Sequence, residues 1–106
     1  MNGRKREIKD FLPTWELLAM VAEEAAELAQ AALKLRRTLD DLNPTRITFD
    51  EALANFNEEW ADVLLSVRQL NLIDENLVLN IMQQKKERWL NHLIENEEEG
   101  KKNGNA

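Results

Sequence analysis

The sequence predicts an all-α protein: an antiparallel bundle of three long helices, completed by association of identical chains. Three observations lead there. Apolar residues recur at alternating three- and four-residue steps along most of the chain, the period of a helix with one buried face. Three Gly and two Pro in 106 residues are too few for a turn-rich all-β chain. A hydrophobic content of 43% is enough to build one core at this length.

The first helix is expected over residues 14–40, with Leu18, Val21, Ala25, Leu28, Ala32, Leu35 and Leu39 as its stripe. Pro13 suits its first turn, where a missing N–H costs nothing. Residues 41–47, with Asn43-Pro44-Thr45, read as a short loop. Thr48-Phe49-Asp50-Glu51 has the form of a capping box, and it opens a second helix carrying Phe49, Leu53, Phe56, Trp60, Val63, Val67 and Leu70. Asp74 is the expected N-cap of a third helix over residues 75–96, with Val78, Ile81, Met82, Trp89 and Leu93 on its stripe. Residues 1–96 thus make one domain, and 97–106, charged and rich in Gly and Asn, a flexible tail. A second, small-residue flank on the first helix (Ala22, Ala26, Ala29, Leu33) would let another helix approach closely, which is the ground for expecting a homodimer or homotetramer.

Composition narrows the chemistry. With no Cys, the chain has no disulfide, zinc finger, iron–sulfur cluster or catalytic thiol. A single histidine, His92, cannot supply the two Glu-x-x-His motifs of a di-iron bundle. Twenty acidic against fourteen basic residues leave no basic footprint for a nucleic-acid polymer. There is neither a membrane-length apolar run nor a signal-peptide core, so a soluble, cytoplasmic protein is expected. Carboxylates, with metals that prefer oxygen, must carry any catalysis.

The carboxylates are patterned. Glu23-Glu24-Ala25-Ala26-Glu27 returns 35 residues later as Glu58-Glu59-Trp60-Ala61-Asp62, and the flanking apolar positions shift with it. Glu24 and Glu59 each fall about 60–70° from the middle of their stripe, with Glu27 and Asp62 one step further round on the same side. No Lys or Arg occurs between Lys9 and Lys34 or between Arg46 and Arg68. These acids therefore lack the i±3 or i±4 basic partners of a solvated charged face. Without the six, fourteen acids face fourteen bases, so the whole formal charge of −6 equals the two motifs. Unneutralised carboxylates beside a core raise one another's pKa, and a divalent cation held by oxygen relieves this. Rigid helical ligands favour Mg²⁺ over Ca²⁺. Such an ion usually serves phosphate chemistry. Lys85 interrupts the apolar stripe of the third helix beside Arg88, and Lys34 lies two turns beyond Glu27; all three are candidate phosphate contacts. Trp60 and Trp89 are expected in the core, Trp15 against a partner subunit, and His92 has no assigned role.

These motifs resemble the EExxE…ExxD signature of the MazG-like, all-α nucleotide pyrophosphohydrolases. The strings EEAAELAQAALKLRR, NPT and NEEWADVLLSV are similar to small phage and Firmicute members in particular, over about residues 15–89. The resemblance implies a dimeric or tetrameric bundle that cleaves a nucleoside triphosphate between its α- and β-phosphates. It implies Glu24, Glu27, Glu59 and Asp62 as Mg²⁺ ligands and catalytic residues, with Mn²⁺ as a substitute metal and Glu23 or Glu58 in support. It further implies Lys85 and Arg88 near the phosphates, with Lys34 and Arg37 as additions, and Glu27 or Glu24 as the group that orients or deprotonates the water. Two other readings fit the same sequence: a non-catalytic helical adaptor, and an inactive homologue that senses nucleotides.

Overall fold

The computed structural model describes residues 5–40 and 46–104. Its elements are a short 3-10 turn, Ile8–Asp10, and three α-helices: α1 (Thr14–Thr38), α2 (Phe49–Arg68) and α3 (Glu75–Gly104). Among the described residues there is no strand, in agreement with the all-α expectation. No helix among them is long and apolar enough to cross a membrane. The chain divides into two compact units, Met1–Asn71 and Leu72–Ala106.

In the first unit α1 packs along α2. The pair is antiparallel because the ten-residue connection cannot return along α1. The amides of Leu39 and Asp40 still donate to the carbonyls of Arg36 and Arg37, and the eight residues that remain reach about 32 Å even fully extended, while the 25 residues of α1 rise ~37 Å. Most of the predicted loop, residues 41–45, lies outside the described residues. Pro13 sits one position earlier than expected, as the N-cap, and its carbonyl accepts from the amides of Glu16 and Leu17, both at 3.1 Å. The Thr48 hydroxyl accepts from the Glu51 amide at 3.2 Å, as the capping box requires. The return contact differs: the Glu51 carboxylate accepts from the Thr48 hydroxyl at 3.0 Å rather than from its backbone N–H. Thr48→Ala removes both bonds and is expected to destabilise the protein by about 1 kcal/mol, measured as a lower denaturation midpoint with unchanged slope.

The helices meet along one edge of the predicted stripes. Among the described residues, the buried side chains are Leu17 and Ala31 on α1 and Ala52 and Ser66 on α2. On each helix these are two turns on either side of a glutamate: Leu17–Glu24–Ala31 and Ala52–Glu59–Ser66. The seven-residue step keeps all three on one line. Val21, Leu28 and Leu35, with Phe56, Val63, Val67 and Leu70, flank that line half-buried. Leu18, Leu39, Phe49 and Leu53, expected in the core, are exposed, as is Trp60 at 50%. The seam thus lies about 70° round from the middle of each stripe. Small residues occupy it because Ala and Ser let two helix backbones come close, and Ser66 satisfies its hydroxyl by donating to the Asp62 carbonyl at 2.9 Å.

The second unit is α3, capped as predicted: the Leu77 amide donates to the Asp74 carboxylate at 3.1 Å. The expected end near residue 96 is too early, since the helix runs to Gly104. Glu97 pairs with Lys101 four residues on at 3.3 Å, in the favoured orientation, and Lys101 and Lys102 sit at the negative end of the helix dipole. Every α3 side chain described is exposed, including Trp89 at 69%.

Candidate functional site

The antiparallel pairing brings the two acidic motifs to one level. Glu27 lies eleven residues before Thr38 and Glu59 eleven after Thr48; Glu24 and Asp62 are each fourteen away. One carboxylate oxygen from each of Glu24, Glu27, Glu59 and Asp62 lies within 4.8 Å of all the others. Glu24 and Glu59 stand in the seam itself, between the buried layers of Ala31 with Ala52 and of Leu17 with Ser66. Glu27 and Asp62 lie one step round on each helix. Glu27 is exposed, and the other three are half-buried.

Burial makes the seam carboxylates unlike the rest. The Oε2 atoms of Glu24 and Glu59 are sealed from solvent and have no hydrogen-bond partner. Packing against the facing helix removes their water, and this is the main cause that pushes the pKa of each above the usual carboxylate value. For Glu24 the charges of Glu27 and Asp62 add to it, then proton sharing with Glu27 and the charge of Glu59. For Glu59 the further causes are the charge of Glu27, proton sharing with Glu27, and the charges of Asp62 and Glu58. With all four acids ionised the sealed oxygens have only acceptors beside them. Either a proton or a cation can satisfy them.

The sign of the pH effect follows. Both groups have a raised folded-state pKa against an ordinary value of 4.5, so the folded state holds more protons than the unfolded state above that value. Their stabilising contribution is full below pH 4.5 and is lost as pH rises through the raised values. Metal-free protein is therefore expected to melt at a lower temperature at pH 7.5 than near pH 5, and Glu24→Gln to flatten that slope. Thermal melts in chelator buffer across this range measure both.

The donor set fits a hard divalent cation. It is all oxygen, it stands on two helices, and no Lys or Arg lies within either motif. Oxygens held at Mg²⁺ bonding distance lie at most roughly 4.2 Å apart, a few tenths of an ångström less than the 4.8 Å limit seen here. Two sealed oxygens without partners are what separates this cluster from an ordinary acidic face.

The other predicted residues are placed as follows. Glu23 and Glu58 are exposed and stand outside the four-acid cluster, although Glu58 contributes charge at Glu59. Lys34 is exposed two turns beyond Glu27 on α1, and Arg37 lines a shallow groove with Leu33, Arg36 and Asp40. Lys85, Arg88 and His92 are exposed on α3, in the second unit. Leu17, Ala31, Ala52 and Ser66, which fix the seam, lie outside the apolar stripes that periodicity marks. Their signal was present, since Leu17 with Ala52 and Ala31 with Ser66 obey the same 35-residue displacement as the acids. Compared with protein-family models, curated proteins and solved structures, the chain has no significant match.

Proposed function

We propose that this protein is a Mg²⁺-dependent nucleoside triphosphate pyrophosphohydrolase of the MazG-like kind. It would convert a (d)NTP and water to the monophosphate and pyrophosphate. One observation carries the reading: four carboxylates from a repeated motif converge within 4.8 Å, with two of their oxygens sealed and unpartnered. Glu24, Glu27, Glu59 and Asp62 would hold the metal, which when bound neutralises phosphate charge and lowers the pKa of an attacking water.

The chain's own residues would do the rest. Seam packing fixes Glu24 and Glu59, so their carboxylates need no reorganisation when substrate arrives. The more open Glu27 stands on the solvent side of the cluster, where a nucleotide would approach, and it or Glu24 would orient or deprotonate the water. Lys34, on the Glu27 side, is within the reach of a polyphosphate, whereas Lys85 and Arg88 are assigned to the substrate by resemblance alone. The test is a panel of canonical and damaged (d)NTPs with Mg²⁺, read by pyrophosphate release. Release from at least one nucleotide, abolished by chelator and restored by Mg²⁺ or Mn²⁺, is the expected result. Nucleotide binding without release would make the protein a sensor, and neither binding nor release would leave the adaptor reading.

A further inference from the structure

We propose that Asn55 binds the terminal phosphates of the nucleotide together with Lys34, a role that rests on the pyrophosphohydrolase reading above. Taking the line of Glu24 and Glu59 as zero, Glu27 and Asp62 lie about 60° to one side of it on their helices. Asn55 falls about 40° and Lys34 about 80° to that same side. Because α1 and α2 are antiparallel, equal rotations on both helices point to one face of the pair, so both residues share the carboxylate face. Counted from Thr38 and Thr48, Asn55 stands level with Ala31, one turn from both Glu59 and Glu27, and Lys34 stands level with Ala52. Helical side chains lean toward the N-terminus of their own helix. On antiparallel helices this tips Lys34 and Asn55 toward one another.

The surroundings of Asn55 set it apart. Among the described residues, Asn55 and Gln69 are the half-buried carboxamides. Gln69 donates to the Leu65 carbonyl at 3.1 Å, and even the exposed Asn57 donates to the Leu53 carbonyl at 2.9 Å. The Asn55 carboxamide has no such partner among the described residues, although groups withdrawn from water ordinarily find one. Of the four basic residues on α1 and α2, Arg36, Arg37 and Arg68 are turned about 120° or more from the seam line, and only Lys34 is on the carboxylate face. Glu51, the acid nearest to this end, is engaged by the Thr48 hydroxyl at 3.0 Å. Past the cluster in the other direction, the same face carries Met20 and Leu65 and no cation from either helix. A polyphosphate anchored at the carboxylates is thus met by an ammonium and a free amide on one side only. Its terminal phosphates point toward the C-terminal end of α1, and the nucleoside toward Met20 and Leu65.

Calorimetric titration of the full chain with pyrophosphate, in saturating Mg²⁺, tests this without turnover. Pyrophosphate is expected to bind, and Asn55→Ala to weaken it about tenfold, the worth of one hydrogen bond to a charged group. Asn55→Asp, which sets a negative charge against the phosphates, should weaken it further. Ala is the better helix former, so the fold of the Asn55→Ala variant holds. Its melting temperature should still rise in Mg²⁺ alone, and exposed Asn57→Ala should bind pyrophosphate as the unaltered chain does. Equal affinity in the unaltered chain and Asn55→Ala overturns the proposal, as does an unaltered chain that binds no pyrophosphate. Loss of the Mg²⁺ effect in Asn55→Ala also overturns it, since Asn55 would then be a metal ligand. Binding through Asn55 without hydrolysis of any nucleotide keeps this site and removes the catalytic reading. Turnover with an unchanged KM in Asn55→Ala does the reverse.

Discussion

Replacing Glu59 by Gln is expected to lower pyrophosphate release by about a hundredfold or more, while the helical circular-dichroism signal stays unchanged. The substitution keeps side-chain volume and polarity and removes only the negative charge and one acceptor. In the seam that charge is desolvated and surrounded by Glu27, Asp62 and Glu58, so losing it relieves repulsion in the metal-free protein. The fold should gain stability as the activity is lost, and this opposition is diagnostic. A residue that mattered only for packing would lose both together. Asp62→Asn should behave alike in activity. Exposed Glu23, outside the four-acid cluster, should lose far less on conversion to Gln. Turnover at the level of the unaltered protein in both Glu59→Gln and Asp62→Asn would overturn the site.

Millimolar Mg²⁺ is expected to raise the melting temperature strongly. An ion that binds only the folded cluster stabilises it by about 2.7 kcal/mol at a hundred times its dissociation constant. For a domain of this size that is on the order of 10 °C. The effect should weaken in acid, because protons compete for the same oxygens. It should nearly vanish in Glu24→Gln, whose metal-free form melts higher than the unaltered protein. Sodium chloride at matched ionic strength is the control. Equal stabilisation by the monovalent salt would mean simple screening of an acidic face and would remove the support for a metal.

Both predictions rest on residues whose identity was legible in the sequence and on an environment that was not. The repeat of Glu-x-x-Glu as Glu-x-x-Asp, 35 residues apart and empty of basic partners, singled out Glu24, Glu27, Glu59 and Asp62. Periodicity also marked all three helices, and the Thr48 and Asp74 side chains marked where two of them begin. It did not mark where α3 ends, because local charge pairing through Lys101 outweighed the weak helix propensity of Gly100. Leu18, Leu53 and Trp60 were expected in the core for a sound reason, since they lie on the apolar stripe. They are exposed because the α1–α2 seam uses only that stripe's edge.

The sequence by itself determined that the chain is helical, which side of each helix is apolar, and which four acids share a side. Only the tertiary structure decided that Glu24 and Glu59 are desolvated while Glu23 and Glu58 stay in water. Spacing along one helix fixes the angles between its own residues. It leaves free the rotation at which two helices meet, and a turn of about 70° separates a core of leucines from a seam of small residues with glutamates in it. Here Ala31, Ala52 and Ser66 allow the backbones to come close along the glutamate line, and that approach turns an acidic pattern into a sealed, unsatisfied cluster.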